Sequence, residues 1–402
     1  MLETLEPRTL VSDSSLEAPD DFWLPNPPRR RNFRALAWSG LKWLGRAIAS
    51  ASDWIFGAIA LTIGLSILAA VPLAQFLSLG YLLEAGGRVA LSGKLREGFV
   101  GIRKASRLGS VVIGITLFVI PLRILSSFAE DAQLVNPGSP TARAWKTGLL
   151  VVTAMVIVHI LGASARGGRI RHFFVPFGNP FWMTRRLKQG GAYKSSRDAC
   201  WDFVGSLHLV HYLRLGFLGF IGTMAWIVGP VTLLAAGRSF PILGIVGAIA
   251  LGLVVLVLPF LQMRFATTQR FRGLFELREV RERFQRAPWA FAFTLFLTLT
   301  FAVPLYLLKI EIIPREAAWL PSLLFVVFMF PTRILSGWAY GRSIRRDPPR
   351  HWFFRWTGRL AMIPVAAFYV LIVFFSQFTA WRGIWSLYEQ HAFLLPVPFL
   401  GL

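Results

Sequence analysis

The chain has 402 residues, 55% hydrophobic and 16% charged, with a mean hydropathy of +0.56. Soluble domains carry about 25% charged residues, so this composition excludes an ordinary water-soluble fold and points to a bilayer as the apolar solvent. The formal charge of +23 sits between the apolar runs, which fits contact with a membrane surface rather than with nucleic acid.

Those runs are long enough to cross about 30 Å of hydrocarbon as helices, and the ten-residue alternating segments of a β-barrel are absent. The expected fold is an all-α polytopic transmembrane bundle with seven or eight spans and interfacial amphipathic helices. Cys200 is the only cysteine, so no intrachain disulfide and no Cys-based metal site is possible. No cofactor motif is present.

Residues 1–32 begin acidic, with Glu3, Glu6, Asp13, Glu17, Asp20 and Asp21, and end on Pro27, Pro28 and three arginines, Arg29 to Arg31. This composition reads as a disordered tail. The first apolar run starts near Trp54, too deep for a cleavable signal peptide. Residues 33–402 read as one integral membrane domain. Its first part, 33–52, mixes Trp43, Leu44 and Ile48 with Arg34, Lys42 and Arg46, as an interfacial amphipathic helix does.

The apolar stretch 54–83 has two readings. It is either a re-entrant hairpin broken at Pro72 and Gly80, or one long tilted helix. Seven spans follow, at about 110–128, 146–164, 213–236, 241–263, 290–309, 319–341 and 360–381. The connections between them alternate in charge. Basic residues crowd after Leu83, Ala165, Met263 and Tyr340, whereas 129–145, 237–240, 310–318 and the tail after Trp381 carry few. By the positive-inside rule the basic connections are cytoplasmic and the C-terminus is outside.

The basic connection 165–212 interleaves Phe173, Phe174, Phe177, Phe181 and Trp182 with arginines, as a segment lying on the bilayer interface does. Residues 265–287 carry Phe271, Leu274, Leu277, Val280 and Phe284 at helical spacing. Glu279 with Arg283, and Glu282 with Arg286, are i,i+4 pairs on that helix.

Three arginines fall at spans: Arg123, Arg214 and Arg333. Arg214 opens its span at the interface. Arg123 and Arg333 stand in similar surroundings, Pro121-Leu122-Arg123-Ile124-Leu125-Ser126 and Pro331-Thr332-Arg333-Ile334-Leu335-Ser336. An arginine there either snorkels to phosphate or holds an anion or a carboxylate. Ser126 and Ser336 are placed to satisfy carbonyls that the prolines free. His159 reads as a neutral histidine bonded to a neighbouring helix. His208 and His211 with Asp202 make a weak metal set. Glu311, Glu316, Glu389 and His391 form a candidate polar rim on the outer side. Gly216, Gly219 and Gly222, and Gly244, Ala248 and Gly252, mark helix faces that pack closely.

The stretch Gly80-Tyr81-Leu82-Leu83-Glu84, followed by Gly87-Arg88, resembles a Gly-Tyr-Leu-x-Glu element in a group of uncharacterised bacterial membrane proteins. The resemblance implies location and fold class and transfers no functional residue. The leading expectation is a non-enzymatic membrane protein that binds anionic lipids, other membrane proteins or a second copy of itself. A transporter or lipid flippase using Arg123 and Arg333 is the second reading. A lipid-processing enzyme using Glu389 and His391 is the third.

Overall fold

A computed structural model describes residues 33–174, 178–188, 190, 192–307, 319–388 and 391. The expected tail 1–32 and the candidate carboxylates Glu311, Glu316 and Glu389 lie outside the described residues. The helices are α1 (Phe33–Ala70), α2 (Gln75–Ser92), α3 (Ile102–Val135), α4 (Pro140–Ala165), α5 (Ile170–Phe173), α6 (Gly178–Lys188), α7 (Ala192–Ser206), α8 (Leu209–Ala236), α9 (Pro241–Thr268), α10 (Leu277–Arg286), α11 (Pro288–Leu307), α12 (Trp319–Ile344) and α13 (Trp352–Thr379). Among the described residues there is no strand. Eight helices are long and apolar enough to cross a bilayer: α1, α3, α4, α8, α9, α11, α12 and α13. The chain is a multi-pass membrane protein.

Two units divide the chain, Met1–Ala51 and Ser52–Leu402. In the first, the side chains from Trp43 onward are exposed. No break separates residues 33–52 from the following stretch, because α1 is a single helix.

The 54–83 stretch turns back on itself. α1 ends at Ala70, and Val71 to Ala74 form a tight turn in which Leu73 takes a left-handed φ of 65°. Such a φ is costly for a branched residue and marks an enforced bend. Pro72 lacks the N–H needed to continue α1. The chain then returns as α2, whose 18 residues reach roughly 27 Å. Trp54 near the start of the hairpin meets Phe99 just after its end, with ring centroids 4.9 Å apart. The expected breaker at Gly80 is not one: Gly80 lies inside α2, where its bare backbone meets Tyr212 of α8.

α2 is the hub of the bundle. It is buried on nearly every side, including Gln75, Ser78 and Glu84, so protein rather than lipid faces its polar groups. It runs antiparallel to α8, with Phe76 against Phe217 and Tyr81 against Tyr212. It runs parallel to α12, where Gly86 meets Gly337 and Ala90 meets Gly341. A Cβ on Gly80, Gly216, Gly337 or Gly341 would overlap a backbone carbonyl of the facing helix. Small residues here bring backbones together, as in membrane helix pairs generally.

α9, α11 and α13 complete the core. Phe260 of α9 stacks on Phe291 of α11 at 4.0 Å, and Thr294 donates to the Leu335 carbonyl of α12. Gly244 abuts Gly237 at the α8–α9 turn.

The α3–α4 hairpin is peripheral. In α3 only Ser110, Gly114 and Ala129 are buried. Ser139 caps α4 by accepting from the Ala142 N–H, and Pro140 follows in the first turn. The interfacial connection folds as α5, α6 and α7, with Phe173 buried against Gly114. The expected single helix over 265–287 is divided. α9 runs on to Thr268, Phe271–Phe275 forms a 3₁₀ turn, and α10 buries Val280 and Phe284. On α10 Arg283 pairs with Glu279 as expected, whereas Glu282 pairs with Arg278.

Candidate functional site

Contacts between helix ends gather the basic connections at one end of the second unit. Arg345, at the end of α12, donates to the Ala90 carbonyl of α2. Lys104, at the start of α3, donates to the Ser206 carbonyl, just before α8, at 2.6 Å. The Arg350 N–H, before α13, donates to the Gln285 carbonyl, before α11, at 2.9 Å. Gly168, after α4, meets Val111 of α3. The same end therefore holds Arg88, Arg103, Arg107, Arg270, Arg272, Arg342, Arg346, Arg355 and Arg359. Among the described residues, only Arg88 of these has an acidic partner.

Two clusters are internally neutralised. Glu84, near the middle of α2, accepts from Arg88 at 2.8 Å and faces His211 of α8 at 3.3 Å. Arg264 of α9 donates to Glu276 at 2.6 Å, and Glu279 takes Arg283 at 2.7 Å. Each ties the end of one helix to its neighbour.

Arg333 is buried, 3% exposed, halfway along α12. Its guanidinium donates to the Gln262 side-chain oxygen of α9, and the Gln262 amide donates to Thr223 of α8 at 2.8 Å. This chain of neutral acceptors crosses three helices and holds the cation away from lipid. Arg123 and Arg214 are both exposed. The similar sequences around Arg123 and Arg333 thus occupy dissimilar sites, and the structure does not bring the two arginines together. Neither serine reaches the carbonyl that its proline frees. Pro121 frees that of Leu117, and Pro331 that of Val327. Ser126 donates instead to Arg123 and Ser336 to Thr332.

His159 bonds as a neutral imidazole. Its Nε2 lies 3.0 Å from the Phe173 carbonyl, and its Nδ1 faces the Asn179 amide at 3.3 Å. That pattern needs Nε2 to donate and Nδ1 to accept. Arg166 completes the knot by donating to Asn179 Oδ1 at 2.8 Å. The ring thus pins the interfacial segment to the α3–α4 hairpin.

His208 and His211 part company. His208 turns to the Ser206 carbonyl, His211 faces Glu84, and Asp202 is exposed. Among the described residues no group of three metal-ligating side chains converges. His391 is buried, against Tyr306 at 3.1 Å, and donates to the Leu387 carbonyl at 2.7 Å. It stands inside the bundle rather than on an open rim. Tyr306 also bonds Tyr369 at 2.7 Å.

Gln262 was not singled out from the sequence, and Glu84 appeared there only as the end of the Gly-Tyr-Leu-x-Glu element, with no role. Glu84 lies one residue beyond the apolar run, but its i,i+4 spacing to Arg88 is a legible signal. Gln262 is masked by the apolar residues on either side of it. Compared with known protein families, curated proteins and solved structures, the chain shows no match.

Proposed function

We propose that this chain is a non-enzymatic protein of a bacterial cytoplasmic membrane that binds anionic lipids at its basic end, which faces the cytoplasm. One observation carries the reading: arginines and lysines largely without acidic partners are collected at one end of the helices, among exposed aromatic residues such as Phe174, Phe181 and Trp352. Each basic side chain near an anionic leaflet contributes on the order of 1 kcal/mol of attraction. The buried Glu84 carboxylate and Arg333 guanidinium, by contrast, each bond to protein side chains. A carrier that grips its substrate between Arg123 and Arg333 draws no support from their separate, unlike surroundings.

The test is lipid analysis of the protein extracted from bacterial membranes in polymer-bounded discs. Anionic phospholipid should be enriched about twofold or more over the bulk membrane. Bulk composition in the discs, or a stoichiometric protein partner with no lipid enrichment, would overturn the reading.

A further inference from the structure

Within that basic end, α11, α12 and the start of α13 enclose a cleft of about 420 Å³. Its lining is graded. Trp338 and Arg342 lie four apart on one side of α12, and Arg346 lines the cleft from just beyond the end of that helix. Trp289 and Phe293 lie four apart on α11 and are each about half exposed. Arg350 enters from the connection that follows α12. Toward the helix interiors the walls are Phe293 and Trp338, and toward the ends the three arginines stand beside Pro288, Trp289 and Phe354.

Among the described residues Arg342, Arg346 and Arg350 make no ion pair. Asp347, the carboxylate of that connection, is exposed and pairs with none of them. Arg342 lies over the Trp338 ring at 5.5 Å, which directs its planar fork along the wall. The Trp289 N–H is held by the Thr357 hydroxyl at 3.2 Å, so that ring is fixed in place. Partial burial, with Arg342 and Arg350 beside it, draws the Arg346 guanidinium below its ordinary value. Three like charges held this close are relieved by an anion.

We infer that this cleft is a binding site for one anionic phospholipid, with its phosphate among Arg342, Arg346 and Arg350 and an acyl chain along Trp338 and Phe293. Arginine suits a phosphate because it can donate two parallel hydrogen bonds. The apolar half of the cleft favours an amphiphile over a free anion. The inference rests on the lipid-binding reading and narrows it to one place.

The experiment uses the full chain, purified in non-ionic detergent and titrated with phosphatidylglycerol or phosphatidylcholine of identical chains under native mass spectrometry. The wild type should take its first phosphatidylglycerol about tenfold more tightly than phosphatidylcholine. The triple variant R342Q/R346Q/R350Q should lose most of that preference. The control R270Q/R272Q/R281Q removes the same charge from exposed positions at the same end but outside the cleft, so it should keep the preference at the first binding step and weaken only the later ones. Equal loss in both triples would overturn the cleft and leave the general lipid reading standing. No preference in the wild type would overturn both. Displacement of the lipid by millimolar inorganic phosphate would show that the cleft takes the bare anion and would overturn the lipid assignment. A melting curve for each variant excludes unfolding, and Trp338→Ala, which keeps every charge, should also weaken the first binding step.

Discussion

Arg333 is a charged side chain buried within a membrane helix, and its setting explains how it is tolerated. A cation at the centre of a membrane helix costs roughly 2.5–3.5 kcal/mol on insertion scales. Here the Gln262 oxygen accepts from it, and Thr223 fixes the Gln262 amide so that the oxygen points the right way. Gln262→Leu removes that acceptor and should lower stability by about 2 kcal/mol. The double change R333M/Q262L removes the charge as well and should recover most of the loss, because a buried polar pair replaced by apolar side chains is often near neutral. Denaturation of the detergent-solubilised variants measures both. A double variant less stable than Gln262→Leu alone would mean that Arg333 stabilises through other contacts.

At the scale of helices, α2 decides the architecture, and backbone contact is its means. Gly80 and Gly216 interlock on one side of it, Gly86 and Gly337 on the other. Gly337→Leu must push α12 off α2 and should cost about 3 kcal/mol or more, or prevent folding. Gly148 of α4 has open space around it, so Gly148→Ala should be neutral or raise stability by up to about 1 kcal/mol through helix propensity. Melting temperatures of the two variants separate packing from propensity, and similar effects at both positions would contradict the packing account. The long apolar spans were legible in the sequence because hydropathy and length alone specify them. α2 was legible only as the return arm of one of two readings of 54–83, because it is insulated by protein and so carries the buried polar residues Gln75, Ser78 and Glu84 without penalty. Its start was marked only by Pro72 in the turn. The glycine pattern of α8 was readable as a packing face, but which helix it meets depends on contacts distant in sequence. The cleft arginines were visible as charge, and only the fold sets three of them in one cleft with Trp338.

For the whole molecule, counting helices links α2 to orientation. Eight crossings would place the two ends of the bundle on one side, and the basic connections would then fail to alternate from start to finish. Counting α2 as a ninth segment at membrane depth restores the alternation. The start of the hairpin, the connection after α2, and the connections before α8, α11 and α13 all fall on one side, and the turns after α3, α8 and α13 on the other. The contact of Trp54 with Phe99 requires the same pairing, because it joins the beginning of α1's second half to the connection between α2 and α3. The proposed orientation puts the basic side in the cytoplasm, and single cysteines in a Cys200→Ser background test it directly. Ser239→Cys, exposed in the α8–α9 turn, should react in intact cells with a reagent that cannot cross the membrane. Ser52→Cys and Asp347→Cys, also exposed, should react only after the cells are opened. Labelling of Ser52→Cys from outside, with Asp347→Cys still protected, would mean that α1 and α2 together cross the membrane once. The hairpin would then be the part of this architecture to abandon. Labelling of Asp347→Cys from outside would reverse the orientation while leaving the helix arrangement intact.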